Sequence, residues 1–233
     1  MGETPLSFIG SKNAIKNWVR ISNYKQCNNL VTFSYKSCID NDLSWPKRIR
    51  DTLSHIGMLD TFLNKDPMAH IFFSQRMSDI FHQNTFSEIK KDTSKLRTYS
   101  LLKNRIGLED YLTNIENINH RTALTKLRLS NHSLQIEKGR HQNIEKNQRF
   151  CPFCPDSIED EKHFLVACRI YNTLREDLYE WVETQINNFY QCDYTKQFIH
   201  LTTNPICMKK TASYIFRQFN IRTFLTNKHK NMT

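Results

Sequence analysis

Glycine is scarce in this chain, with five residues in 233, at positions 2, 10, 57, 107 and 139. Neither G-x-G-x-x-G nor G-K-[ST] occurs, which excludes Gly-rich phosphate loops and leaves a doubly wound α/β fold little to build on. No two aspartates are adjacent. No apolar run approaches the ~18 residues that span a bilayer, and the opening residues do not read as a secretory leader. Gly2 is followed by Leu6, where N-myristoylation requires Ser or Thr. Proline is missing between Pro67 and Pro152, and acid is missing from residue 194 onward, where seven basic residues stand.

What is present favours a folded, basic protein. Hydrophobic residues make up 39% and aromatics 12%, enough apolar surface for a real core. Lys and Arg number 33 against 23 Asp and Glu, a net of +10, which favours a polyanionic partner such as nucleic acid and no membrane. Seven cysteines without an export signal point to a reducing compartment, intracellular and nuclear and/or cytoplasmic, with thiols free or bound to metal.

Helical periodicity dominates, so the expected fold is mostly α: an irregular helical array with a small CCHC zinc module in the C-terminal half. Ser11 precedes Ile15, Trp18 and Val19, which share one face. Pro46 suits a first helical turn leading to Ile49, Leu53 and Ile56, with Gly57 as the stop. Asp66-Pro67 opens a helix carrying Ile71, Phe72, Met77, Ile80 and Phe81. The segments 96–102 and 123–129 read as helical, separated by Gly107 and an Asn-rich turn at 114–119. From Phe164 to Ile186 the spacing predicts one long or broken helix, and Pro205 starts the last, with Ala212, Ile215, Phe216 and Phe219 inward. The best strand pattern is Leu30 to Tyr35.

The strongest chemical signal is Cys151-Pro-Phe-Cys154, then eight residues to His163 and four more to Cys168. Two Cys spaced by two residues chelate one ion from a tight knuckle, and a following His and Cys complete a tetrahedron that selects zinc. Four protein ligands close the shell, so the single zinc is structural and no position is left for an activated water. On an ideal helix five residues turn about 500°, leaving His163 and Cys168 about 140° apart. The helix must therefore distort or end near Cys168. Cys27, Cys38, Cys192 and Cys207 lack such spacing and read as core or surface thiols. Asp160-Glu161-Lys162 formally matches a nuclease D/E-x-K tail. Its other half, Pro155-Asp156, is too close for two separate strands, so a solvated acidic loop is the expected reading.

Charge is uneven along the chain. Residues 121–150 hold seven basic residues against Glu137 and Glu145, a net of +5, whereas residues 151–168 have a net of −3. At 100° per residue Arg121, Thr125, Arg128 and His132 form a stripe opposite Ala123, Leu124 and Leu127. The stripe suits phosphate, and it suits equally well a solvated polar helix face. Three thiolates on one divalent ion add −1 to the acidic loop, so phosphate contacts are expected from the flanks: Arg121, Thr125, Arg128, His132, Arg140, Lys146 and Arg149.

Arg121-x-x-Leu-Thr-x-Leu-Arg-Leu-Ser-x-His-Ser-Leu-x-Ile-Glu-x-Gly-Arg140, then Arg149-x-Cys-x-x-Cys154, then Glu159-Asp-Glu-Lys-His-Phe-Leu-x-x-Cys168 resembles the region C-terminal to the polymerase in non-LTR (LINE-type) retrotransposon reverse transcriptases. Trp45-Pro, Ile56-Gly57, Leu96-Arg-Thr-Tyr99 and Thr211-Ala-Ser-Tyr-Ile-Phe…Arg222 are similar to elements of the same region. The resemblance is specific from about 94 to 175. Arg169 follows Cys168 where Pro is common in that family. The resemblance implies zinc binding and contacts with element RNA or target DNA during target-primed reverse transcription. A polymerase needs paired aspartates to hold two metal ions; none occurs, so no catalytic residue and no enzyme activity is expected. The segments so implied are 1–93, resembling a post-polymerase linker; 94–150, basic and helical; 151–190, the zinc knuckle and following helix; and 191–233, a basic helical tail. The competing reading is a zinc-pinned helical protein-interaction module with no nucleic-acid role.

Overall fold

The computed structural model describes residues 5–24, 30–91, 95–103 and 107–230, with residues 229 and 230 described by backbone alone. Cys27 lies outside them. The fold is mostly α, with one two-stranded sheet among the described residues, and its contacts divide it into two units, 1–87 and 88–233.

The first unit contains α1 (Leu6–Ser22), α2 (Leu30–Asp40), α3 (Ser44–His55), α4 (Leu59–Leu63) and α5 (Ala69–Ile89) up to Ser87. Ile15, Trp18 and Val19 of α1 meet Ile49 and Leu53 of α3 and Ala69 and Phe73 of α5 in its core. Trp18 stacks on Phe62 at 5.0 Å and donates its indole N–H to the Tyr35 hydroxyl at 2.9 Å. That bond satisfies the one polar atom a buried indole carries. Three details differ from the sequence reading. α1 starts at Leu6 after Pro5, so Ser11 is inside the helix. In α5, Phe73 is buried whereas Ile71 and Phe72 are about half exposed. Residues 30–35 form helix α2 and not a strand. A single strand leaves its backbone groups unpaired, and no described residue of the unit offers a second one.

The scarcity of glycine is met in an unusual way. Helices α2, α3 and α4, with α8 (Ile118–Arg128) and α9 (Gln135–His141), end on a wide backbone bond: Leu43 N to Cys38 O, Met58 N to Leu53 O, Asp66 N to Thr61 O, Asn131 N to Lys126 O and Ile144 N to Gly139 O, each 2.8–2.9 Å. This closure needs a left-handed residue just past the helix. Gly57 supplies it once; Asp42, Lys65, Ser130 and Asn143 supply it elsewhere, at φ 46°, 50°, 51° and 55°.

The second unit contains α6 (Arg97–Leu102), α7 (Asp110–Asn114), α8, α9, the strands β1 (Phe150–Cys151) and β2 (Cys154–Ile158), α10 (Asn172–Glu183), α11 (Tyr194–Thr203) and α12 (Pro205–Lys230). Asn117 caps α8 by accepting from the N–H groups of Asn119 and His120, as the Asn-rich turn predicts. Asp193 caps α11 in the same way. Leu124, Leu127, Phe164, Leu178, Val182, Phe198, Leu201, Ala212 and Ile215 share one core, so the expected segments 94–150, 151–190 and 191–233 all contribute to a single packed body. The helix expected from Phe164 to Ile186 is broken: a π turn spans His163–Ala167, Cys168 is extended, and α10 follows a short 3₁₀ turn. No described helix is long and apolar enough to cross a membrane.

Candidate metal centre

The hairpin of β1 and β2 is built on Cys-Pro-Phe-Cys. Phe150 pairs with Ile158 and Cys151 with Cys154, so Pro152 and Phe153 form a tight turn that brings both sulfurs together. The backbone N–H of Phe153 faces the Cys151 sulfur, and that of Ile170 faces the Cys168 sulfur. Asp160 then opens the next element, its Oδ1 accepting from the His163 N–H at 2.6 Å.

The five-residue step from His163 to Cys168 is closed by the backbone. The Cys168 N–H donates to the His163 carbonyl at 2.7 Å, a bond one residue wider than in an α-helix. Such a π turn sets residue 168 over residue 163, where an α-helix would leave the two about 140° apart. Cys168 then adopts φ −63° and ψ 121° and leaves the helix. Three carbonyls around this turn are taken up by side chains. Gln218 donates to Phe164 O at 2.8 Å, and Arg175 donates to Cys168 O at 2.6 Å and to Leu165 O at 3.4 Å. Arg175 and Gln218 are buried and were not singled out from the sequence.

The ligand atoms of Cys151, Cys154, His163 and Cys168 all lie within 4.8 Å of one another, three of the residues buried. The sulfurs of Cys151 and Cys154 stand 3.9 and 3.8 Å from that of Cys168. The His163 Nε2 is buried without a hydrogen-bond partner; in the tautomer protonated at Nδ1 it offers a lone pair that a metal bond would satisfy. The Cys151 thiol is drawn well below its ordinary range by the hydrogen bond from Cys168, against the effect of burial, and Cys168 is pushed up by the same contact. Three crowded sulfurs cannot all ionise without a cation between them. The donor set fits a metal ion.

Comparison with family models, curated proteins and solved structures finds no match to this chain.

Around the cluster the charges are arranged differently from the sequence expectation. Glu159 and Glu161 are internal and do not belong to a solvated acidic loop. Glu159 receives a two-point bond from Arg222, 2.7 Å at each oxygen, and the Gln135 N–H at 2.7 Å. Glu161 accepts from His132 at 2.8 Å and from Arg97, which also bonds Glu137. Burial alone would raise the Glu161 carboxyl, but the bond and charge of His132 and the charge of Arg97 bring it down to about 2. Asp156 and Lys162 are the exposed charges of the loop. The −3 counted along 151–168 is therefore not a surface charge, and Glu159 and Glu161 do not repel phosphate from this loop.

The expected phosphate stripe is also corrected. Arg128 is 2% exposed and is spent on Glu109 and on the Thr202 carbonyl at 2.7 Å. The His132 side chain is 1% exposed. Neither faces solvent. Arg121 donates to the Leu112 and Ile115 carbonyls, closing α7, and Thr125 donates to the Arg121 carbonyl. Arg140 is bonded to Glu137 at 2.9 Å. Arg149 holds the carbonyls of Ile136 and Ile144 at 2.8 and 2.7 Å, passing so close to Gly139 that a Cβ there would meet its Cγ at 2.6 Å. Lys146 is exposed, with no side-chain partner among the described residues. The polar residues quoted for the family resemblance thus largely bond one another or backbone carbonyls.

Proposed function

We propose that the chain is a nucleic-acid-binding module held by one structural zinc ion, and that it corresponds to the post-polymerase region of a LINE-type reverse transcriptase. Zinc is favoured by the donor set and by distance. A tetrahedron with Zn–S bonds of about 2.3 Å has S···S edges of about 3.8 Å, against the 3.8 and 3.9 Å between the sulfurs. Cys151 and Cys154 would hold the ion from the hairpin, His163 and Cys168 from the π turn. A full set of protein ligands leaves zinc a folding role and no catalytic one.

The observation that carries the nucleic-acid reading is where the charges sit. Glu137, Glu159 and Glu161 are internal and paired, whereas Lys126, Lys146, Lys162, Arg169, Lys209, Lys210 and Arg217 are exposed. Three buried arginines, Arg128, Arg175 and Arg222, balance those three acids, so the excess of 23 Lys and Arg over 16 Asp and Glu between residues 88 and 233 remains outside the core. The test is fluorescence anisotropy of the zinc-loaded chain with a labelled RNA oligonucleotide across a salt series. Affinity falls with salt, and Lys146→Gln lowers the log–log slope by about 0.7, the share of one phosphate contact. Absence of binding, or binding indifferent to salt, refutes the reading.

The protein-interaction reading has one observation in its favour. α2 buries no residue, and Leu30, Val31 and Phe33 are exposed along it. Salt-independent capture of a folded protein, with no RNA bound, would select that reading.

A further inference from the structure

Between α8 and α12 runs an open groove of about 370 Å³, a volume within the range of small-molecule sites. Helical spacing builds it. α8 contributes Asn119, Thr122 and Lys126, and α12 contributes Phe216, Phe219, Asn220 and Thr223, each set on one face of its helix. The half-buried rings are held from behind: Phe219 stacks on Phe164 at 4.8 Å, and Phe216 lies 5.4 Å from His120. They form a fixed apolar floor beneath polar walls.

The walls carry unspent hydrogen-bonding capacity. The side chains of Asn119, Thr122, Asn131 and Asn220 are exposed and have no side-chain bond among the described residues. His132 also lines the groove; its Nε2 is committed to Glu161, and its Nδ1 is buried without a partner. Lys126 is the one lysine or arginine lining the groove, and no carboxylate lines it. Glu161, behind His132, has its charge met by His132 and Arg97.

Resting on the nucleic-acid reading above, we propose that this groove receives one unpaired nucleotide of a single strand. Its base stacks on Phe216 and Phe219, its edge bonds the Asn amides, and its phosphate meets Lys126. The chemistry fits each part. A base has an apolar face and an edge that both donates and accepts, which an amide matches on two points. Ring stacking is the usual device for unpaired bases. Within a duplex the faces are stacked and the edges paired, so the groove selects single strands.

The experiment uses the full zinc-loaded chain with a labelled 12-nucleotide RNA, single-stranded and as a duplex. Asn119→Ala combined with Asn220→Ala removes two exposed amides, and unchanged zinc content and circular dichroism verify the fold. We expect this variant to bind the single strand about ten- to a hundredfold more weakly, at roughly a factor of three to ten for each bond, while the duplex is unaffected. Lys126→Gln lowers the single-strand salt slope by about 0.7. Wild-type affinity for the single strand in the double-Asn variant, or equal losses for strand and duplex, overturns the groove assignment alone. A wild-type chain that binds neither RNA overturns this assignment together with the nucleic-acid reading.

Discussion

Replacing Glu159 by Gln keeps the size of the side chain and removes its charge, which isolates what the pair with Arg222 contributes. Both side chains are 2% exposed, both carboxylate oxygens are bonded to the guanidinium at 2.7 Å, and the Gln135 N–H adds a third bond. The variant keeps one amide oxygen to accept from the guanidinium, puts an NH2 donor in the other position, and leaves the Arg222 charge buried without a counter-charge, with a long 3.5 Å contact to Ser133 beside it. Breaking a buried pair by removing one partner costs about 3–5 kcal/mol, a large part of the 5–15 kcal/mol typical of a folded protein. Melting should fall by about 10 °C for a unit of this size. Asp156→Asn is the control: it lies in the same loop, is exposed, and should shift stability by no more than about 0.5 kcal/mol. Converting both partners, Glu159→Leu with Arg222→Met, should recover much of the loss, because an apolar pair leaves no charge unmet. Urea unfolding followed by circular dichroism, with zinc in excess, reads all four proteins. If Glu159→Gln shifts the midpoint no more than Asp156→Asn, Glu159 is a solvated loop acid and the reasoning from the internal network is wrong.

Lys65 stands exposed at φ 50° after α4, so Lys65→Gly should stabilise the first unit by about 1 kcal/mol through relief of left-handed strain; an unchanged or lower urea midpoint refutes this. The Glu137 carboxyl is raised by burial but held below its usual range by Arg97 and Arg140. A carboxyl depressed on folding stabilises above its unfolded value of about 4.3 and ceases to do so as pH falls through its lower folded value. The stability gap between wild type and Glu137→Gln should therefore be full at pH 7 and shrink below about pH 4; a gap that does not change with pH refutes the assignment.

Local signals in the sequence identify α1, α3, α5, α6, α8, α10 and α12 and the four clustered residues that could hold a metal ion. Asn117, Pro46 with Gly57, and Pro205 mark helix ends through their own chemistry, and Cys151 to Cys168 carry their spacing within 18 residues. The 140° problem at His163 and Cys168 is also visible in the sequence, and the π turn is its resolution. Illegible were the partners that lie far along the chain. Periodicity shows that Arg121, Thr125, Arg128 and His132 share a helix face, but a face packed on carboxylates and carbonyls has the same period as a solvated one. Arg128 meets Glu109 and Thr202, and Glu159 meets Arg222, 63 residues away. One local clue did exist: Arg222 continues the inward stripe of Ala212, Ile215 and Phe219, where a charge must find a buried partner. The strand reading of Leu30 to Tyr35 failed because alternation over six residues is a weak signal without a second strand to pair with.

X-ray absorption at the zinc edge, on chain purified without chelator and assayed for metal, tests the metal centre most directly. The geometry predicts one zinc per chain, with three sulfurs at about 2.3 Å and one nitrogen at about 2.0 Å. Cys154→Ser should lose the ion and loosen the second unit, since structural zinc contributes roughly 10 kcal/mol of apparent binding free energy. A metal-free wild type that unfolds at the same urea concentration with and without added zinc would contradict the account, as would an ion bound through any other ligand set.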